Sequence, residues 1–188
     1  TASTTLQSDV FPEFNTDSHK YIGVYQPREL IQYNLYKQIY NSIYTGKSIE
    51  QTRTALKDEL TKEKNIIISE ERFVATTDES TWRKKIFNLY SLIYDLDYYL
   101  IVIVRDPIKA MRSYYIEIYE KYFNGVNKDF FDIALKNDLM KIFHYKTFFE
   151  ELTQYFKFDK IYIHKFEDIV NGNIDDLVKF IAPNQNIL

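Results

Sequence analysis

The sequence predicts an α/β protein, a three-layer arrangement in which helices flank a parallel sheet. Two observations carry this expectation. Short apolar runs alternate with amphipathic helical stretches along the chain, the pattern of strand–helix–strand units with right-handed crossovers. The run Leu100-Ile101-Val102-Ile103-Val104 is rich in β-branched residues and has no polar alternation. That composition predicts a strand covered on both faces, as strands of parallel sheets are. At 188 residues the chain has the length of one domain, 1–188, and is short for two.

The other strands are read in the same way. Tyr21-Ile22-Gly23-Val24, Ile66-Ile67-Ile68 and Ile161-Tyr162-Ile163 are apolar runs bounded by polar residues. A helix is expected from Pro27 through Leu30, Ile31, Leu35, Ile39 and Ile43 to a stop near Gly46, with proline at its start and glycine at its end. Ser48 and Gln51 have the spacing of a capping box for the next helix, which would bury Ile49, Leu56 and Leu60. Ile86, Leu89, Ile93 and Leu96 mark a third helix. Pro107 opens a fourth that runs to about Phe123; a fifth covers 139–156, and a last one lies near 174–181.

Composition narrows the function classes. The formal net charge of −3 provides no broad basic field for nucleic acid, so any polyanion must be held by a local cluster. There is no cysteine, which excludes disulfides, thiolate metal sites and cysteine nucleophiles, and fits a cytoplasmic, reducing compartment. No stretch has the length and apolar character of a membrane helix. Seventeen tyrosines and fourteen phenylalanines indicate either a ring-lined core or an A+T-rich coding bias. The chain begins with Thr1 rather than methionine, and its first residues read as the middle of a motif. The native N-terminus is therefore expected to lie upstream.

In open α/β sheets ligands bind at the carboxyl ends of the strands, and three segments there carry suggestive chemistry. Thr1-Ala2-Ser3-Thr4-Thr5-Leu6 offers hydroxyls and N–H groups to a phosphate, or is a frayed Ser/Thr-rich terminus. Glu70 follows the strand at 66–68; it is either a base at a pocket mouth or part of a solvated acidic turn. Arg105 leaves the apolar strand directly before Pro107, and Ser113 falls about two turns into the following helix. The arginine fork and the serine hydroxyl can converge on one anion, or Arg105 can bridge to a carboxylate at the strand end.

Taken together these segments resemble the sulfotransferases that use 3′-phosphoadenosine 5′-phosphosulfate (PAPS), and among them the bacterial carbohydrate-type members. Thr1 to Leu6 is similar to the family's phosphosulfate loop without its lysine. Arg105-Asp106-Pro107 with Ser113 and Tyr115 matches the family's Arg-Asn/Asp-Pro signature, with serine eight residues and an aromatic ten residues after the arginine. Ile66 to Glu70 and His164-Lys165-Phe166-Glu167-Asp168-Ile169 resemble two further elements, and the four stand in the family's order. Departures are the missing lysine, Ala2 at a usual glycine, Ala110 at a frequent arginine, and a last residue, Leu188, that falls before the usual basic closing segment. On this evidence the chain is expected to be a partial sulfotransferase.

The resemblance implies a P-loop-like fold and PAPS as donor co-substrate, with no metal. Ser3, Thr4 and Thr5 would hold the 5′-phosphate, Arg105 and Ser113 the 3′-phosphate, and Glu70 would be the base, with His19 and Glu71 as alternatives. The acceptor would be a glycan or small-molecule hydroxyl, with no nucleic-acid partner. A nucleotide kinase would require a glycine-rich loop and magnesium-holding carboxylates, neither of which is visible. A non-catalytic, nucleotide- or partner-binding remnant of the fold is the remaining alternative. Single residues have plain readings: His144 as helix packing, Trp82 as a hydrophobic anchor, and the Tyr114–Tyr122 stretch as core and interface packing.

Overall fold

A computed structural model of the chain describes residues 2–26, 34–62, 64–125 and 129–183. It is mixed α/β. In chain order its elements are α1 (Ala2–Thr5), β1 (His19–Tyr21), α2 (Asn34–Thr45), α3 (Ile49–Leu60), β2 (Asn65–Ile67), α4 (Trp82–Ile93), β3 (Leu100–Val104), α5 (Pro107–Tyr122), α6 (Phe130–Lys136), α7 (Tyr145–Leu152), β4 (Ile161–Lys165), α8 (Phe166–Val170) and α9 (Asp175–Ile181). Two compact units are formed: residues 1–98 with 168–188, and residues 99–167.

In the first unit β1 and β2 pair in parallel, with Lys20 opposite Ile66. Strand β1 begins two residues before the expected apolar run. Ile22 N–H still donates to Ile67 O (3.0 Å) and Val24 N–H to Ser69 O (3.2 Å), so the ladder runs on past Tyr21. Gly23 is required there, because a Cβ would stand 2.5 Å from the Ser69 backbone nitrogen. Phe14, Tyr21, Ile39, Ile43, Trp82 and Leu177 are buried in this unit. Trp82 thus has the anchoring role expected of it.

The helix expected from Pro27 begins, within the described residues, at Asn34; residues 27–33 lie outside them. It ends at Thr45, and Gly46 turns the chain with φ of +72°. The capping box expected at Ser48 does not form. Ser48 adopts φ 55° and ψ 25°, and its side chain makes no capping bond. A left-handed residue lacks the extended backbone that aims an N-cap hydroxyl at the first helical N–H groups. Helix α4 does have such a cap, from Thr81 to Lys84 N–H at 3.3 Å.

In the second unit β3 and β4 pair in parallel from Leu100↔Ile161 to Val104↔Lys165. The strand at 100–104 has the expected bounds but not the expected double cover: it is half-buried, with Ile103 exposed. A two-stranded ladder leaves much of each strand's surface to be shielded by helices alone. The core of this unit lies instead around Met111, Phe123, Ile133, Ala134 and Met140. Tyr115 contributes rings to it, with Phe123 and Phe130 both at 5.4 Å. The tyrosine-dense helix α5 therefore packs its rings inward, as its spacing predicts.

The single helix expected over 139–156 is divided. A 3₁₀ turn at Asp138–Phe143 is followed by α7, and His144 between them has ψ of 80°. His144 Nε2–H donates to Ala134 O at 2.8 Å. This tie to the end of α6 fixes the break, and His144 is a joint rather than a residue within a helix.

Candidate phosphate-binding turn after strand β3

The sequence places Arg105 directly after an apolar strand and Pro107 two residues later. Proline fits the first turn of a helix because its missing N–H would have no intrahelical partner. Asp106 then caps α5: its Oδ1 accepts from Lys109 N–H at 2.8 Å, and Ala110 N–H donates to Asp106 O at 2.9 Å. The Arg-Asp-Pro tripeptide thus has a local structural logic. Arginine ends the strand, aspartate caps the helix and proline starts it.

Around this turn three contacts converge from the rest of the unit. The Tyr145 hydroxyl accepts from Arg105 N–H (2.9 Å) and donates to Arg105 O (2.5 Å). The Arg105 guanidinium carbon lies 4.7 Å from the centre of the Phe166 ring. Glu167 accepts from Asp106 N–H at 3.4 Å. Burial, chiefly, raises the Tyr145 phenol above its usual pKa. It therefore remains a neutral donor and acceptor across the physiological range.

The ion pair weighed for Arg105 is not made: no carboxylate of the described residues pairs with its guanidinium. Ser113 is exposed on α5 and shares a helix face with Asp106 and Lys109, at spacings of seven and four residues. It stands about 10 Å along the axis from Asp106. Side chains of a helix lean toward its N-terminus, which tilts Lys109 and Ser113 toward the Arg105 end. Ala110, by contrast, is buried. An arginine at that position would have to leave the core.

In the first unit the other candidate residues have different surroundings. Ser3, Thr4 and Thr5 belong to α1, which is helical from Ala2 and continues as a wide turn through Leu6–Val10. Thr4 and Thr5 are exposed. Glu70 is buried; it accepts from the Tyr36 hydroxyl and, at 2.8 Å, from Arg72 N–H, capping the short turn Glu71–Phe73. Glu71 is exposed. His19 is buried in β1. Its Nε2 lies 3.1 Å from Ile181 O and 3.3 Å from Asn65 Nδ2, and its Nδ1 lies 2.8 Å from Ser18 Oγ.

Lys85 escaped the sequence reading, and it lies beside Glu70's turn. It is wholly buried, and its ammonium donates to Arg72 O (3.2 Å) and Ala75 O (2.5 Å) and lies 3.6 Å from the centre of the Tyr44 ring. Desolvation lowers its pKa to about 8, against an opposing pull from Glu70. A signal was present: Lys85 falls three residues after Trp82, inside the apolar stripe of α4. An open groove of about 430 Å³ is lined by Asn15, Thr16, His19, Lys20, Glu59, Lys62 and Lys64. Its lysines are engaged, Lys20 and Lys62 with Glu59 and Lys64 with Thr16 O.

Comparison of the chain with family models, with curated proteins and with solved structures finds no match in any of the three.

Proposed function

We propose that the chain is a PAPS-dependent sulfotransferase of the three-layer, P-loop-like fold, acting on a hydroxyl of a carbohydrate or similar acceptor. The observation that carries the proposal is Arg105. Its backbone is held on both sides by one hydroxyl while its guanidinium has no carboxylate partner among the described residues. A half-buried arginine kept out of ion pairs at a strand end is suited to a bidentate anion, and phosphate is the anion its fork matches best.

In this reading Arg105 and Ser113 take the 3′-phosphate, and Ser3, Thr4 and Thr5 take the 5′-phosphate. The acceptor oxygen attacks sulfur in line, the bond from sulfur to the 5′-phosphate oxygen breaks, and adenosine 3′,5′-bisphosphate leaves. Glu70 receives the acceptor's proton, and cationic or N–H donors balance the charge growing on the departing phosphate.

The test is a titration of the full-length protein with adenosine 3′,5′-bisphosphate, AMP and ATP. The bisphosphate should bind tightest, and Arg105→Ala should weaken it about 10- to 100-fold, the worth of hydrogen bonds to a charged group. Equal affinity for AMP would remove the 3′-phosphate role. Selective binding of the bisphosphate without sulfuryl transfer would identify a non-catalytic remnant of the fold instead.

A further inference from the structure

We infer that Tyr145 and Phe166 are positioning residues that set Arg105 for the nucleotide's 3′-phosphate, an inference that rests on the sulfotransferase reading. Neither residue needs to touch the nucleotide. Tyr145 is the first residue of α7, forty positions from Arg105 in sequence, yet its single hydroxyl serves both the N–H and the C=O of that residue. A strand end has backbone groups with no ladder partner, and these normally turn to water and fluctuate. Here one neutral hydroxyl fixes the peptide planes on both sides of the Arg105 Cα. The direction in which its side chain departs is thereby fixed.

Phe166 acts further out. It follows β4 directly, next to the strand that pairs with β3, and its ring lies 4.7 Å from the guanidinium carbon. Cation–π attraction holds the guanidinium at the ring without using any of its five N–H donors. A carboxylate in the same place would hold the arginine equally well but occupy the fork. The ring therefore orients the cation and leaves its donors for an anion. Glu167, the next residue, holds Asp106 N–H, so the same stretch that steadies the side chain also steadies the helix start.

The energetic logic is preorganisation. A long side chain ordered before binding loses less rotamer entropy when the phosphate arrives. The advantage should appear only for ligands that use Arg105, so it should separate the bisphosphate from AMP. A loss of stability alone would lower both together.

The test uses Tyr145→Phe, Phe166→Leu and Phe166→Tyr in the full chain, with two readouts. The first is the order of the Arg105 Nε–H by ¹⁵N relaxation. The second is affinity for adenosine 3′,5′-bisphosphate and for AMP. Tyr145→Phe and Phe166→Leu should each lower the order and weaken the bisphosphate by about tenfold with AMP unchanged, while Phe166→Tyr, which keeps the ring, should behave as wild type. Unchanged Arg105 order, or equal losses for both nucleotides, would overturn the inference. If the wild type shows no preference for the bisphosphate, the donor reading fails. Arg105 order then decides the positioning claim by itself: a drop in the two variants upholds it, and no drop ends it.

Discussion

Glu70 and Arg105 both follow strands, and the structure treats them in opposite ways. Glu70, three residues past β2, is drawn inward. Its carboxylate is buried, caps a short turn and accepts the Tyr36 hydroxyl. Arg105, directly past β3, has its backbone tied down and its charge outside any ion pair among the described residues. In the first case the side chain builds the turn. In the second, other residues build the turn and the side chain is spared. A charge at a strand end can thus support the local fold, as Glu70 does beside its proposed part as base, or be left to a ligand, as proposed for Arg105.

The largest expected effect tests that contrast directly. Glu70→Ala leaves the Tyr36 hydroxyl and the Arg72 N–H without this acceptor, and unfolding free energy should fall by about 2–3 kcal/mol. Arg105→Ala should lower it by no more than about 1 kcal/mol, the worth of one cation–π contact. Urea denaturation of the two variants measures both. Similar losses would break the comparison.

A second test sharpens the Glu70 side of it through Lys85, whose ammonium holds the carbonyls of the same turn. Its pKa is lowered from 10.5 to about 8 in the folded state. Between those values the unfolded chain binds more protons at this position than the folded one, so Lys85 makes stability rise with pH over that window. Below about pH 8 both states are protonated and the burial penalty is constant. Lys85→Met should lack this rise, and the stability difference between wild type and variant should shift in favour of wild type from pH 8 to 10.5. Thermal melts across the window would show parallel curves if Lys85 were not the source.

The smallest expected effect belongs to the Arg105 side. Asp106→Ala removes the cap from Lys109 N–H and should destabilise by about 1 kcal/mol, whereas Asp106→Asn should be nearly neutral because the amide oxygen can accept the same bond. Circular dichroism and urea midpoints distinguish the two. Equal loss in both variants would mean that the carboxylate's charge, rather than its capping bond, supports the turn.

The parts of the fold legible in the sequence are those fixed by neighbours in sequence. The strand at 100–104 and the helix from Pro107 have their expected bounds because β-branching, the Asp-Pro start and apolar spacing act locally. At the turn after β3, Arg105 and Ser113 were legible for the same reason. Tyr145 and Phe166 lie far from Arg105 in sequence; Phe166 falls in the segment 164–169 that resembles a family element, but neither residue's neighbours in sequence announce a contact with Arg105. Helix α6 went unread because seven residues, Phe130–Lys136, are too few to establish a helical period. The break at His144 depends on a bond to Ala134 O. Ser48 shows the converse failure: a capping pattern is present in sequence, but a left-handed backbone leaves it unused.

The Tyr145 hydroxyl also bears on the order in which this part of the chain assembles. Strands β3 and β4 are parallel, so their ladder cannot form by a local hairpin; it must close a long connection through α5, α6 and α7 before its first bond appears. Tyr145 lies within that connection. If it reaches Arg105 first, the chain left to close runs only from α7 to β4, a much shorter loop with a smaller entropy loss. In that order of events, the contact that steadies the arginine in the finished molecule would divide one long ring closure into two steps, the second of them short.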